Sequence, residues 1–386
     1  MSGMQAVILA AGEGSRLRPL TKNRPKAMIP VGNRPILGYV MDALMASGIR
    51  DIIVVVGYRK EQVMAYLNQR DDSVTVVVQE KQLGTAHALA CAQKHLTGDF
   101  LVLPGDNWID ATSVARIAST QNAMLVKEHS HPANFGVVSI KDGIITHIFE
   151  KPAVAPTHTV STGILSLTQD FFRHVTTPEI PDALTHMIGD GISLRAVVAE
   201  QWHDALVPWD LLHMNALLLQ GISSQREGTI HRGAILQGHV QVGKGTVIHP
   251  HTTIYGPCII GEDCDIGPNA TIMPHTSIGS RVTIAPHTHV ANALLLDDVA
   301  IGPHCTIRDA VLGEGCAIGD HVTTVSRETL HTIGNEVWTA SFGGILGDRV
   351  TAAPFTVFQA CIVGNEVHIE EGRVLRGVLP DGCVVR

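Results

Sequence analysis

Short apolar runs alternate with amphipathic stretches through the first half of the chain. Four β-branched runs predict strands, and the stretches between them have the apolar spacing of helices. The strands are expected at residues 6–9, 51–56, 74–78 and 100–103, and the helices at 36–47, 60–69 and 85–95. This alternation predicts an α/β domain with a Rossmann-like parallel sheet covered by helices on both faces.

Three further apolar runs follow, and they are spaced as hairpins rather than as strand–helix units. They lie at residues 135–140, 144–149 and 160–167, with Lys141-Asp142-Gly143 as one of the turns. We expect them to form a lid or subdomain over the sheet.

From residue 230 the apolar period changes to six. The periodic positions are Ile230, Leu236, Val242, Ile248, Ile254, Ile260, Ile266, Ile272, Ile278, Ile284, Val290 and Leu296. Glycine often follows the apolar residue, as at Ile260-Gly261. This is the hexapeptide repeat of a parallel β-helix, in which the aliphatic side chain points inward and glycine turns the corners. The repeat loses phase between about Thr324 and Ile345, which predicts a loop that leaves the β-helix.

The change of period divides the chain into two predicted domains. The first covers residues 1–222 and ends with a helix at 208–221, which has Pro208 in its first turn. The second covers residues 223–386 and contains the hexapeptide repeats. A low aromatic content beside 37 glycines fits this division, because a β-helix interior is too narrow for rings.

Charge and hydropathy exclude several partners. The net charge is -8, only 17% of residues are charged, and no Lys/Arg-rich run occurs, so we expect no nucleic-acid binding. No apolar run approaches the roughly 18 residues that a membrane span requires. The N-terminus lacks the pattern of a secretory signal, and seven cysteines without a C-x-x-C pair indicate reduced thiols. The expected location is the cytoplasm.

A glycine-containing loop follows the first predicted strand. In Leu9-Ala10-Ala11-Gly12-Glu13-Gly14 the glycines let the backbone approach a ligand, and successive N–H groups can cradle phosphate oxygens. The loop is not a dinucleotide-binding G-x-G-x-x-G, because Leu17 holds the third glycine position, and it is not a Walker A motif. A bare Gly-x-Gly is equally typical of an ordinary turn. The residues that follow it decide between these interpretations.

The stretch from Gly12 to Lys26 resembles the signature of the sugar-1-phosphate nucleotidylyltransferases. It has the form Gly-x-Gly-Ser-Arg-Leu-x-Pro-Leu-Thr-x-x-x-Pro-Lys, with Ser15 in the place of the commoner threonine. The resemblance implies that Arg16 and Lys26 are catalytic and act on phosphate groups. It also implies that the nucleotide is bound by Leu9, Ala10, Ala11, Gly12 and Gly14.

A second segment, Gln79-Glu80-Lys81-Gln82-Leu83-Gly84-Thr85-Ala86, looks like the base-binding segment of uridylyltransferases that use N-acetylglucosamine-1-phosphate. The resemblance implies that Gln79 pairs with the base and that Gly84 and Thr85 line it. Taken alone, the segment is also an ordinary helix start with Thr85 near the N-cap.

Two aspartates are candidate ligands of Mg²⁺. Asp106 follows the fourth predicted strand, at the edge where open α/β sheets bind ligands, although a turn-forming aspartate has the same sequence pattern. Trp202-His203-Asp204 is similar to the second metal-carboxylate segment of the family. There the aspartate is usually followed by an aliphatic residue and glycine, whereas Ala205-Leu206-Val207 follow here. A surface role for Asp204 is the alternative.

The resemblance also implies residues that bind the sugar phosphate. Gly136 and Thr162 are expected to contact the sugar, Glu150 its hydroxyl groups, and Lys151 its phosphate. The reaction implied is in-line attack of the sugar-1-phosphate on the α-phosphorus of a nucleoside triphosphate, with release of pyrophosphate. In such a reaction the protein mainly positions and neutralises anions.

The predicted β-helix resembles that of the bifunctional N-acetylglucosamine-1-phosphate uridylyltransferase and glucosamine-1-phosphate acetyltransferase family, which is left-handed and trimeric. There a histidine serves as base for transfer from acetyl-CoA, and His304 is the matching candidate. The segment around His304 is one residue shorter, Ile307 and Met273 replace a tyrosine and an arginine, and a Gly-Ala-Gly-Thr loop is missing. The alternative is a solvated corner histidine. A homo-oligomer, most simply a trimer, is expected through the β-helix.

Several functions stay open at this point. The first is transfer from UTP to N-acetylglucosamine-1-phosphate, and the second is a glucose-1-phosphate thymidylyltransferase with much the same signature. The third is the two-activity enzyme that also uses acetyl-CoA. The fourth is a non-catalytic relative, since translation-initiation exchange-factor subunits share this domain order.

Overall fold

The computed structural model describes residues 3–70, 72–334 and 336–386. Its contacts divide the chain into two compact units. The first contains the chain up to Glu13, then Arg24–Met28 and Pro35–Asp204. The second contains Gly14–Asn23, Ile29–Arg34 and Ala205–Arg386. Within the described part of the chain, every helix is too short or too polar to cross a membrane.

The first unit contains a nine-stranded sheet, a short two-stranded sheet and five α-helices among the described residues. The elements of the unit are β1 (Gln5–Ala10), α1 (Ile36–Ala46), β2 (Asp51–Val56), α2 (Lys60–Asn68), β3 (Val74–Val78), α3 (Thr85–Ala92), β4 (Phe100–Pro104), β5 (Asn107–Ile109), α4 (Ala111–Ala118), β6 (Ala123–Glu128), β7 (Gly136–Lys141), β8 (Ile144–Glu150), β9 (Thr159–Leu167), α5 (Ile180–Gly189), β10 (Leu194–Val198) and β11 (Trp202–Asp204).

The sheet has nine strands in the order β3-β2-β1-β4-β9-β6-β10-β8-β7. Strands β1 to β4 are mutually parallel, as predicted. Strands β1, β2 and β4 are buried on both faces, which explains their continuous apolar sequences, whereas β3 is an edge strand and is only partly buried. The carboxyl ends of these strands lie at one edge, where Ala10, Val56 and Pro104 end their strands.

The three hairpin-spaced runs do not form a lid, and that expectation is wrong. They are β7, β8 and β9, and all three belong to the same sheet. Strand β9 lies antiparallel beside β4 and also beside β6, so the sheet is mixed rather than parallel. Period-two spacing predicts that a strand exists, but it does not say which strand will be its neighbour.

The second unit is a parallel β-helix, so the predicted combination of an α/β domain and a β-helix is confirmed. One face has two-residue strands at Thr229–Ile230, Val247–Ile248, Asp265–Ile266, Thr283–Ile284, Ala300–Ile301, Ala317–Ile318, Thr351–Ala352, His368–Ile369 and Val384–Val385. The remaining strands form one continuous sheet: Gln225–Arg226, Ile235–Gln237, Val240–Val242, Thr253–Tyr255, Cys258–Ile260, Thr271–Ile272, Thr276–Ile278, His289–Leu295, Thr306–Leu312, Thr323–Val325, Gly344–Leu346, Val357–Val363 and Val374–Leu379.

The register shows where the hexapeptide repeat is regular and where it is not. Early coils are 18 residues long, since Val247 pairs with Asp265 and Asp265 with Thr283. Ile278, however, pairs with Leu295, so that coil has 17 residues. Leu295 and not Leu296 belongs to the central apolar column, and Leu296 as the twelfth member of the period is a wrong prediction.

The segment where the period is lost is a β-hairpin. Its strands are Arg327–Ile333 and Glu336–Phe342, which pair antiparallel, and the helical register resumes with Gly344–Leu346. The predicted excursion from the β-helix is therefore confirmed. A last helix, α6 (Asp210–Leu219), packs on the β-helix within the same unit, where the Asn215 side-chain oxygen accepts from Ser277 Oγ at 2.6 Å.

A glycine column at one corner gives a stability prediction. A Cβ on Gly261 would lie 2.5 Å from the carbonyl oxygen of Gly279 in the next coil, which is too close for any side chain. We expect Gly261→Val to lower the free energy of unfolding of the β-helix by roughly 3 kcal/mol. Gly221→Ala is the matched control, because its nearest atom would be 3.8 Å away. Urea unfolding followed by circular dichroism tests this; equal midpoints for the two variants would refute it.

Candidate active site

The loop after β1 leaves the sheet at its carboxyl edge. The carbonyl of Leu9 accepts from the Gly105 N–H and that of Ala11 from the Tyr58 N–H, both at 2.9 Å. Ala10 is buried beside Gly105, where a Cβ would come within 3.0 Å of Ala10 Cβ. Gly12 is exposed, and a Cβ there would meet no atom within 4 Å, so packing does not require glycine at this position. Close approach of a ligand is a physical reason for it.

Lys26 lies between the two predicted metal ligands. Its Nζ is 2.6 Å from Oδ1 of Asp204 and 3.1 Å from Oδ2 of Asp106. The lysine side chain is 10% exposed, against 34% for Asp106 and 17% for Asp204. Both carboxylates therefore converge on one cation near the carboxyl edge of the sheet.

A short strand pair explains how Asp106 and Asp204, which are distant in the sequence, come together. Strand β5 begins directly after Asp106 and pairs antiparallel with β11, so that Asp204 lies opposite Asn107. Lys26 is fixed from the other side, because its N–H donates to the Glu13 carbonyl at 3.2 Å. A stacked contact of Trp108 with His203, at 5.5 Å between ring centroids, supports the pair.

The electrostatics of this cluster keep Lys26 charged. Burial alone would lower its pKa, but the charges and hydrogen bonds of Asp106 and Asp204 outweigh burial and raise it above its usual value. An ammonium that stays protonated over the physiological range can neutralise phosphate oxygens as a point charge.

The donor set around Lys26 fits Mg²⁺ in the form that accompanies phosphate substrates. Mg²⁺ is typically held by one or two carboxylates, with the remaining positions filled by water and substrate phosphate. Asp106 and Asp204 supply two carboxylates that already approach one point within 3.1 Å. The described residues contain no cluster of three or more acidic, histidine or cysteine ligands, so an all-protein site is not formed there.

The predicted base-binding residues lie together at the start of α3. Gln79 is buried, and its Nε2 donates to the Gly84 carbonyl at 3.1 Å and lies 2.9 Å from Nδ1 of His87. Gly84 has φ of +149°, and a Cβ there would lie 2.4 Å from the carbonyl oxygen of Pro178. Glycine is therefore required at residue 84 by the backbone and by the neighbouring segment.

Thr85 is engaged by a residue that the sequence did not indicate. Its Oγ1 donates to Oε2 of Glu179 at 2.9 Å and accepts from the Ile180 N–H at 2.9 Å. The Glu179 carboxylate thus lies at the N-terminus of α3, where the helix dipole favours a negative charge. The Thr85 hydroxyl therefore makes its hydrogen bonds to groups of the protein itself.

Three of the predicted sugar-phosphate residues lie together on the hairpin β7–β8. Gly136 pairs with Glu150, and a Cβ on Gly136 would lie 3.2 Å from Oε2 of Glu150. Lys151 follows directly with φ of +42°, and its N–H donates to the Phe135 carbonyl at 3.1 Å. The Lys151 Nζ lies 3.9 Å from Oε1 of Glu150, and both side chains are about half exposed. An ammonium and a carboxylate are therefore accessible side by side.

Thr162 differs from these residues because its hydroxyl is buried. Oγ1 of Thr162 donates to the Leu125 carbonyl at 2.8 Å. The Thr162 carbonyl accepts from Nδ2 of Asn107 at 3.3 Å, which links this strand to the residue after Asp106. Oδ1 of Asn107 is buried and has no hydrogen-bond partner among the described residues. Asn107 was visible in the sequence beside Asp106, but nothing in the pattern marked it as buried.

The remaining predicted residues belong to the second unit. Gly14 has φ of 77° and precedes the 3₁₀ turn Ser15–Leu17, and its carbonyl accepts from Oγ1 of Thr21 at 2.9 Å. Nη2 of Arg16 donates to Oε1 of Glu336 at 2.6 Å. His304 is exposed at a corner of the β-helix, stacked between His287 and His321 with ring centroids 5.0 Å apart on either side.

Comparison with known families now places the chain. A family described as Nucleotidyl transferase matches residues 5–220, more than half of the chain, and one described as GMPPB C-terminal domain matches residues 254–381. Fold, site and matches define a nucleotidyltransferase with a β-helical second part. The chain belongs to the Nucleotidyl transferase family, and the predicted resemblance is confirmed.

Named relatives show the same relationship. The Bifunctional protein GlmU of Methanococcus maripaludis is 35% identical over 256 residues, which are 64% of this chain and 62% of that protein. The chain therefore spans less than two thirds of the length of that relative. The glucose-1-phosphate thymidylyltransferase of Streptomyces antibioticus is 31% identical over 71% of this chain and 82% of that protein.

A solved structure supports the fold. The UDP-glucose pyrophosphorylase from Acinetobacter baumanii superimposes with a TM-score of 0.51 and 23% sequence identity, covering 57% of this chain and 94% of that one. At this level of identity the match indicates a shared fold and carries nothing about substrate.

Proposed function

We propose that the protein joins a nucleoside triphosphate to a sugar-1-phosphate and releases pyrophosphate. The observation that carries the proposal is the pair Asp106 and Asp204 around the buried Lys26, in a chain of the Nucleotidyl transferase family. Two carboxylates can hold a divalent cation, and such a cation together with a charged ammonium would supply the charge neutralisation that phosphoryl-type transfer requires.

The residues of the chain would have different roles in substrate binding, according to their charge. Arg16 and Lys26 would bind phosphate oxygens, the former as a fork and the latter as a point charge. The loop Leu9–Gly14 would offer N–H groups to the nucleotide. Lys151 would bind the phosphate of the sugar and Glu150 its hydroxyl groups, which agrees with their exposure side by side. Mg²⁺, held by Asp106 and Asp204, would supply charge neutralisation at the phosphates when bound.

UTP with N-acetylglucosamine-1-phosphate is the substrate pair that we propose first. It rests on the Gln79 and Gly84-Thr85 segment and on the similarity to a protein named GlmU. The runner-up is dTTP with glucose-1-phosphate, because a relative that the chain covers more fully is named a glucose-1-phosphate thymidylyltransferase.

For the second part of the protein we propose assembly, with a homotrimer as the expected state. Sedimentation velocity of the full chain tests this expectation. Transfer from acetyl-CoA with His304 as base stays a prediction from resemblance, as does the cytoplasmic location.

A panel of pyrophosphate-release assays tests the proposed function. UTP and dTTP are each combined with N-acetylglucosamine-1-phosphate and with glucose-1-phosphate, in the presence of Mg²⁺. We expect the highest kcat/KM for UTP with N-acetylglucosamine-1-phosphate. Preference for dTTP with glucose-1-phosphate would select the runner-up, and no pyrophosphate from any pair would refute the reaction and favour a non-catalytic relative.

A further inference from the structure

The predicted phosphate-binding arginine is held by a carboxylate of the hairpin Arg327–Phe342. Nη2 of Arg16 and Oε1 of Glu336 are 2.6 Å apart, and the two side chains are 29% and 36% exposed. The two residues are 320 positions apart in the sequence, and both belong to the second unit. One carboxylate oxygen engages one end of the guanidinium fork.

The hairpin presents Glu336 on its covered face. Side chains alternate between the two faces, so that His331, Ala340 and Phe342 are buried, whereas Leu330, Val337 and Glu328 are exposed. Phe342 stacks on Trp209 with 5.2 Å between ring centroids, and His331 lies 5.5 Å from the same ring. Glu336, Trp338 and Ala340 point to the same face of their strand, so Glu336 lies on the packed face of the hairpin.

The contact leaves part of the carboxylate unsatisfied. Oε2 of Glu336 is buried and has no hydrogen-bond partner among the residues that the structure describes. A buried oxygen without a partner costs free energy, which offsets part of what the ion pair contributes. An anion whose oxygens are all satisfied can therefore replace Glu336 as the partner of Arg16.

We propose that Glu336 sets the affinity for the nucleoside triphosphate by competing with its phosphate groups for Arg16. This inference rests on the proposed function, in which Arg16 binds the triphosphate. Carboxylate and phosphate offer the same oxygen geometry to a guanidinium. Because Glu336 is tethered, its effective concentration at Arg16 is of the order of millimolar or higher. The nucleotide must displace it, and a less anionic ligand would do so less readily.

Glu336→Gln tests the proposal, because it keeps the size of the side chain and removes its charge. Glu328→Gln is the matched control, since Glu328 is an exposed glutamate on the opposite face of the same hairpin. Binding of inorganic tripolyphosphate to the full chain is measured by calorimetry at low and high salt, beside KM for the nucleotide. Unfolding temperatures of both variants are compared with that of the wild type.

We expect Glu336→Gln to bind tripolyphosphate about two- to five-fold more tightly and to lower KM by the same factor, without a loss of kcat. The gain should shrink at high salt and vanish in an Arg16→Ala background, while Glu328→Gln stays at the wild-type value. Unchanged or weaker binding in Glu336→Gln would overturn the proposal. Tripolyphosphate binding needs no turnover, so a wild type that releases no pyrophosphate refutes the proposed function alone.

Discussion

Replacing Lys26 with methionine is expected to lower the rate of pyrophosphate release by about 10²- to 10³-fold. Methionine keeps the unbranched apolar chain but removes the ammonium that lies 2.6 and 3.1 Å from the two aspartates. A group that neutralises developing charge in a site sheltered from water typically contributes this much to turnover. The rate is measured with saturating nucleotide, sugar phosphate and Mg²⁺.

The substitution also affects the stability of the fold. Lys26 contacts both Asp106 and Asp204, and the two carboxylates lose this shared counter-ion when the ammonium is removed. Removing one member of a buried ion pair also destabilises the protein, so the unfolding temperature must be measured in parallel.

Lys22→Met is the control, because Lys22 is a half-exposed lysine of the same signature that pairs with Asp381. We expect it to retain a rate within about threefold of the wild type, since exposed ion pairs contribute little. A Lys26→Met protein that stays folded and keeps more than about a tenth of the wild-type rate would contradict the role given to Lys26.

The β-helix could be predicted because its rule is local. Ile260, Ile266 and Ile272 are each buried, and each was identified by a spacing of six alone. The shortening of the coil before Leu295 could not be predicted, since several aliphatic residues in succession satisfy either phase. The mixed topology of the sheet could not be predicted for another reason. The apolar pattern indicates the strand Thr159–Leu167, but packing determines that Phe100–Pro104 is its neighbour.

The candidate site likewise has features that the sequence predicts and features that it does not. Asp106 could be placed at the carboxyl edge from the strand that precedes it, and Lys26 from the signature. Their meeting with Asp204 depends on the pairing of Asn107–Ile109 with Trp202–Asp204, which is long-range and has no pattern in the sequence. The roles of Glu179 and Glu336 could not be predicted for the same reason. Each contacts its partner, Thr85 or Arg16, across more than ninety residues of sequence.

Replacing either aspartate with asparagine is expected to lower turnover by at least about 100-fold at a fixed Mg²⁺ concentration. Asparagine keeps the shape of the side chain and can still accept a hydrogen bond from Lys26, but it removes one negative charge from the donor set. Loss of a metal that neutralises phosphate charge costs several kcal/mol of transition-state stabilisation. The measurement is a Mg²⁺ titration of pyrophosphate release for Asp106→Asn and Asp204→Asn.

Each variant should need a higher Mg²⁺ concentration for half-maximal rate, and this separates metal binding from a structural role. Asp142→Asn is the control, because Asp142 is an exposed turn residue with φ of 51° that asparagine also adopts readily. A variant in which the rate falls while its Mg²⁺ dependence matches that of Asp142→Asn would show that this aspartate only positions Lys26.

Because both aspartates contact Lys26, the effects of the two substitutions should not multiply in the double variant. There the remaining ammonium is buried without a carboxylate, so its pKa falls, and part of the neutralising charge is lost as well.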